Sequence, residues 1–374
     1  MKKKILVIMT FFLFSSSVLS INREDQNIIS YDWAIVGAGF AGITALAVLL
    51  NCGVKPSTIV WIDSEFNVGR VGKYYGSVPG NIQVQSMLYY VHNCPYFKTI
   101  NSPSLRELYI YKADEFPLLQ VIVDPLQDFT HYLQNKVTSL QNNVISLARI
   151  DKYWQLEMDG PIIQAKKVIL AIGAQPKRLN YDLQEIPLDE ALDKNKLSQY
   201  IQEDDCIAVF GSMHSAMLIL KYLSEFPVKQ IINFYLNDYF YGAPGLEGDT
   251  ALWVKNVLEK QLPKNLLRVK NTQDNRNEWL SKCTKAIYAI GYEQTKIFIN
   301  GSFDVTFDEN TGIIDNNLYG IGIAFPPTDF CNGQRIAKNG LNAYLAYAKK
   351  LIPHWISKDK ACGASTNTIE IPWI

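Results

Sequence analysis

Residues 34–63 constrain this chain more than any other stretch. Ala34 to Val36 is a short apolar run with the character of a buried strand. Gly37-Ala38-Gly39-Phe40-Ala41-Gly42 follows, then an apolar helix from Ile43 to about Leu50. A second strand, Thr58 to Ile62, ends in Asp63 and Ser64. Gly37 permits a tight turn, Gly39 lets backbone approach a pyrophosphate, and Gly42 lets the helix pack close to the strand. The helix N-terminus attracts phosphate charge. An acid about 20 residues further on is placed to bind a ribose hydroxyl. The glycine pattern alone is weak evidence. With a strand before it, a helix after it and an acid ending the next strand, it predicts a dinucleotide-binding unit in an α/β fold.

The following segment runs from Asn67 to Gly76 and is glycine-rich, basic and aromatic. It suits wrapping the far side of a long dinucleotide, with Arg70 placed to neutralise pyrophosphate. The 374 residues are 48% hydrophobic, enough for one large core or two smaller ones. The formal net charge is zero and no basic stripe is interleaved with aromatics, which argues against nucleic acid as a partner.

From about Ser30 to Trp355 the chain resembles the flavoproteins with two dinucleotide-binding domains. These include the pyridine nucleotide-disulfide oxidoreductases, and the pattern here is closest to flavin-containing monooxygenases. The resemblance rests on five pieces in order. Gly37 to Gly42 is the first fingerprint, and Val168 to Pro176 looks like the crossover segment, with Ile172 replacing the usual Thr. Ile207 to Ala216 looks like a second fingerprint, Ala286 to Gly291 like a second crossover, and Gly312 to Gly322 like the closing motif. The resemblance implies a Rossmann-like FAD-binding domain, residues 21–200 and 295–374, with a smaller NAD(P)-binding-like domain, residues 201–294, inserted in it. It adds Val144, Ala171, Gly173 and Gly322 to the FAD site. It assigns Gly211, Ser212, His214, Ser215 and Ala216 to NAD(P).

Departures from the pattern carry information of their own. Met213 stands where the second fingerprint expects glycine, and its side chain would crowd a pyrophosphate. The strand Gln230 to Leu236 ends in Asn237 and Asp238, with no Arg there to grip a 2′-phosphate. Ile323 follows Gly322 where the closing motif usually has Asp. A helix near Asn332 to Lys350 is expected to aim its N-terminus toward the flavin, or simply to pack.

No Cys-x-x-Cys pair is present among the six cysteines, which argues against disulfide reduction. Cys52 and Cys206 read as buried structural residues. Asn81, Gln83 and Gln85 would share one face toward the flavin if extended. Tyr235 to Gly248 is aromatic and turn-rich, as a lid or as a packed connection. The reading favoured is an FAD-dependent oxidoreductase, most like a monooxygenase acting on a small molecule. An oxidase independent of NAD(P)H and a non-catalytic FAD binder are the alternatives. No catalytic side chain is singled out, and no metal is implied.

The first twenty residues read as a secretory leader. Lys2, Lys3 and Lys4 precede an apolar run from Ile5 to Phe14, and Val18 and Ser20 suit cleavage before Ile21. Export to a periplasm, secretory lumen or exterior is expected, with no stable membrane association after cleavage. Such compartments permit disulfides and hold little NAD(P)H.

Overall fold

The computed structural model describes residues 29–242, 245–331 and 334–357. The expected leader and Cys362 lie outside them.

The chain begins with β1 (Ile29–Val36), β2 (Ile59–Asp63), β3 (Thr138–Gln141), β4 (Val144–Ile150), β5 (Tyr153–Met158) and β6 (Ile162–Leu170). It leaves this sheet through β7 (Ala174–Pro176). A second sheet follows from β8 (Gln184–Glu185), β9 (Cys206–Phe210), β10 (Gln230–Tyr235), β11 (Leu266–Lys270) and β12 (Lys285–Tyr288). β13 (Tyr292–Gln294) pairs antiparallel with β7, so the outgoing and returning chains cross side by side. β14 (Phe298–Ile299), β15 (Ile313–Asp315) and β16 (Leu318–Gly320) rejoin the first sheet, and β17 (Thr328–Cys331) forms a hairpin with β18 (Gln334–Ala337).

The fold is α/β, with two Rossmann-like parallel sheets. In the first, β1 sits between β2 and β6, with β3 beyond β2, all parallel. The other edge of β6 is shared: β5 pairs with its first half and β16 with its last three residues. In the second, the order is β11-β10-β9-β12-β8, again parallel. Strands buried on both faces read as continuous apolar runs, as Ile59-Val60-Trp61-Ile62 and Ile207-Ala208-Val209-Phe210 do. Each glycine loop follows the strand flanked on both sides, β1 or β9. There the neighbouring connections diverge and leave a crevice at the carboxyl ends.

The helix Phe40–Asn51 is buried from Ala41 to Leu50. A helix apolar all round needs cover on more than one side. The sheet covers one side and the helix Leu341–Ser357 packs against it, bringing Leu345, Ala348 and Ile352 into the same core. Truncating fully buried Leu46 to Ala here would cost about 2–5 kcal/mol.

Residues 184–198, expected from the sequence in the first segment, join the second sheet. β8 pairs with β12, and Ile186, Leu188, Ala191, Leu192 and Leu197 pack with Ile207 and Val209. Two further expectations differ from the structure. Asn81, Gln83 and Gln85 are not one extended stretch, because Val84–His92 is a helix that buries Val84, Met87, Tyr90 and Val91 at helical spacing. The last helix starts at Leu341, because β18 occupies residues 334–337.

Candidate functional site

Gly37 closes the first turn. Its φ is +106°, and its N–H donates to the Ile62 carbonyl at 2.7 Å. A Cβ there would stand 2.3 Å from the Ala171 carbonyl oxygen, and one on Gly42 would stand 1.9 Å from the Gly37 oxygen. Both glycines are therefore required by backbone packing. Gly39 differs, since its Cβ would meet nothing closer than 3.8 Å. Its absent side chain leaves open space on the cavity side. No side chain among the described residues caps the Phe40–Asn51 helix, so its first-turn amides are left for a ligand.

A cavity of about 580 Å³ opens at this turn. Gly37, Gly39, Phe40, Ala41, Asp63, Ser64 and Arg70 line it, as do Ala171, Gly173 and Gly322. Asp63 is already used structurally. One carboxylate oxygen accepts from Ala38 N–H at 2.7 Å, the other from Glu65 and Phe66 N–H at 2.8 and 2.7 Å. The oxygen bound to Ala38 can accept once more, so the same acid ties the two loops together and still faces the cavity. Gly322 fits close against the fingerprint helix, where a Cβ would come 2.6 Å from that of Ala41. Gly340 and Tyr344 bring the start of the last helix to the cavity wall.

Arg70 is engaged elsewhere than expected. Its Nη1 pairs with Asp189 at 2.5 Å and its Nε donates to the Ala174 carbonyl at 3.3 Å. The Tyr75 hydroxyl donates to the same carboxylate, and lies 3.0 Å from the Tyr292 hydroxyl. Burial, above all, pushes both tyrosines above the usual phenol range. This network joins the segment after β2 to the crossing strand β13. Asn81 also lines the cavity, whereas Gln83 and Gln85 bond to each other outside it. Val144 packs in the core with Val36, Ile62 and Leu170, apart from the cavity lining. No described residue of the 235–248 segment lines the cavity. Cys52 is exposed rather than buried, because it caps the end of its helix.

The second turn repeats the first. Gly211 has φ +124°, and a Cβ would stand 2.2 Å from the Ala289 oxygen. Its N–H donates to Phe234 O at 2.9 Å, as Gly37 does to Ile62. Met213 takes the place of Gly39, in the same extended conformation immediately before the helix His214–Ser224. Ala216 takes the place of Gly42. His214 and Ser215 line the large cavity, together with Leu218 from the next turn. Gly211, Ser212 and Ala216 do not. The His214 Nε2 is 3.4 Å from Thr250 Oγ1, its Nδ1 has no partner, and burial pushes the imidazole down to about 4.

Arg268 escaped the sequence reading. It lies on β11, opposite Asn233 of β10. Its Nε donates to Asn233 Oδ1 at 2.9 Å, and buried Asn233 donates to the Val209 and Gly211 carbonyls. The guanidinium stands over the rings of Tyr235 and Tyr239 and 3.8 Å from Asp238. A cation is thus present beside the end of β10. Only the strand order reveals it.

Two matched glycine turns, with one cavity lined by the first turn and by the start of the helix after the second, define an FAD-dependent oxidoreductase built on two dinucleotide folds. The chain belongs to the pyridine nucleotide-disulphide oxidoreductase family, whose model matches residues 31–318. It is 24% identical to the monooxygenase AgnR1 of Paecilomyces divaricatus, over 86% of this chain and 97% of that protein. Among solved structures, the flavin-containing monooxygenase of Stenotrophomonas maltophilia has a TM-score of 0.58 at 13% identity, covering 90% of this chain and all of that one. The bacillithiol disulfide reductase Bdr of Staphylococcus aureus has a TM-score of 0.56 at 12% identity, covering 87% and 99%.

Proposed function

We propose that this chain is an FAD-dependent monooxygenase acting on a small molecule. One observation carries the reading: among the described residues, no cysteine lines the cavity that meets the first fingerprint. A disulfide reductase needs thiols there to exchange with the flavin. The likeness to AgnR1 supports the same choice.

The residues present fit FAD. The open side of Gly39 and the uncapped helix suit the pyrophosphate, and Asp63 with Ser64 suits the ribose. Ala171, Gly173 and Gly322 line the cavity as well, with Ala171 and Gly322 packed close against the fingerprint turn. Bound FAD supplies two-electron transfer and reaction with dioxygen. The protein contributes exclusion of water: Val78, Leu119, Leu192 and Leu218 are buried apolar residues on the cavity wall. Asp189 holds the Tyr75 hydroxyl, which in turn meets that of Tyr292, and at pH 7 His214 is neutral. These polar groups orient a substrate without adding charge to the cavity.

The second unit, around Gly211, His214 and Ser215, is the candidate NAD(P)H site. Met213 favours the second reading, an oxidase reduced by its own substrate. An anaerobic titration of the purified flavoprotein separates the two. Bleaching by NADPH or NADH supports the monooxygenase. Bleaching only by an amine or alcohol supports the oxidase, and a colourless chain that takes up no FAD overturns both. The reading includes export directed by residues 1–20, checked by finding Ile21 at the N-terminus of the secreted chain.

A further inference from the structure

The second sheet carries two cysteines that the flavin chemistry does not use. Cys206 opens β9, and Cys283 stands two residues before β12, the neighbouring strand. Ile207 is in register with Lys285, and the Thr284 N–H donates to the Cys206 carbonyl at 2.8 Å. Both side chains turn to the same face, into a cluster with Phe210, Phe234 and Tyr288. Their sulfurs lie 3.6 Å apart.

The frame around them is fixed. Asp205 accepts from Lys285 Nζ at 2.6 Å and from Thr284 Oγ1 at 2.8 Å, and Lys285 also donates to the Tyr200 carbonyl. That buried ion pair holds the starts of β9 and β12 together. The thiols therefore meet without any ordering of the chain between them.

We infer that Cys206 and Cys283 are a dithiol that closes to a reversible disulfide, a covalent staple between the neighbouring strands β9 and β12 of the second sheet. The oxidant is a small disulfide such as oxidised glutathione. The Cys206 thiolate attacks one of its sulfurs, breaking that S–S bond and releasing one glutathione thiolate, which takes up a proton. The Cys283 thiolate then attacks Cys206 Sγ, releasing the second glutathione. The two protein thiols lose two electrons and two protons, and one glutathione disulfide becomes two thiols. Cys206 is the first nucleophile. A hydrogen bond from Cys283 and the charges of Lys229 and Lys282 hold it below the usual thiol range, while Cys283 is pushed up.

The staple is separate from the flavin: neither cysteine lines the cavity at the first glycine turn. It is also clear of the second turn, because Cys206 begins β9 and Gly211 follows its far end, five strand residues at about 3.3 Å each. The inference holds whether or not the monooxygenase reading does.

The test uses the purified full chain with whatever flavin it carries. Samples are equilibrated with reduced or with oxidised glutathione, quenched in acid, alkylated in denaturant and mapped by mass spectrometry without reduction. A peptide pair linking Cys206 to Cys283 is expected to rise at least tenfold in the oxidised arm and to vanish with dithiothreitol. The flavin spectrum should not change. The oxidised chain should melt a few degrees above the reduced one, and C206S should abolish that difference. Should C206S not fold, the wild-type map alone decides. Full alkylation of both cysteines in the oxidised arm, their pairing with other cysteines, or flavin bleaching as the dithiol closes would each overturn the inference.

Discussion

The Tyr75 hydroxyl stands 3.0 Å from that of Tyr292 and donates to Asp189, which also pairs with Arg70. Four residues from three distant parts of the chain thus meet, and three of them, Arg70, Tyr75 and Tyr292, line the FAD cavity. Asp189→Ala would leave a half-buried guanidinium and a buried phenol without their acceptor. An unmet buried polar group costs about 1–3 kcal/mol. Urea unfolding should show a loss in that range, and Tyr75→Phe a smaller loss of about 1 kcal/mol. In the double variant the two losses should not add, because both act through one carboxylate.

Gly39 and Gly37 separate two roles of glycine. A Cβ on Gly39 has room within the protein, whereas one on Gly37 strikes the Ala171 carbonyl. Gly39→Ala should therefore leave the apoprotein within about 1 kcal/mol of wild type, while FAD affinity falls at least tenfold. Gly37→Ala should lose stability with or without FAD. Calorimetric titration with FAD, alongside thermal unfolding of the apoprotein, checks both.

Met213 carries a side chain at the position where the first unit has Gly39. Met213→Gly should speed anaerobic flavin reduction by NADPH at least tenfold. Arg268→Ala should raise the NADPH concentration needed for half-maximal reduction more than that of NADH. Losing its bond to Asn233 should also cost about 1–3 kcal/mol of stability. Stopped-flow reduction with each nucleotide reads these effects.

His214 makes stability depend on pH. Burial holds its pKa at about 4, against 6.5 when exposed. The unfolded chain binds the proton first, so this contribution is fully present above pH 6.5 and is lost as pH falls toward 4. The loss reaches about 3 kcal/mol over that window. His214→Gln should flatten this part of the stability profile, measured by urea unfolding between pH 4 and 7.

Much of this was legible because it is local. The Gly37 turn, its helix and Asp63 fall within 27 residues, and their spacing alone dictates the βαβ unit. The Gly211 turn was legible for the same reason, and so was the altered position at Met213. Where sequence reasoning failed at close range, the period was misjudged. Val84, Met87 and Val91 mark a helix that the polar alternation of Asn81, Gln83 and Gln85 had obscured.

The remaining features depend on which strands become neighbours. Arg70 finds Asp189 across 119 positions, Arg268 finds Asn233 across 35, and Cys206 finds Cys283 across 77. Local propensity carries no record of such pairs. They follow only once the order β11-β10-β9-β12-β8 and the crossing at β7 and β13 are known.

That crossing has a mechanical consequence. Both covalent links between the two sheets run through one antiparallel ribbon three residues long, Ala174–Pro176 against Tyr292–Gln294. A two-stranded ribbon twists easily about its long axis, because its hydrogen bonds follow the rotation. It resists splaying, which would break them. Rotation of the second sheet about that ribbon is opposed by what packs between the units: Tyr75, Val78 and Leu119 sit in the core beside the second sheet, and the Ser77 hydroxyl donates to Asp193. Asp189, paired with Arg70 beside the ribbon, adds a charged tie to that packing.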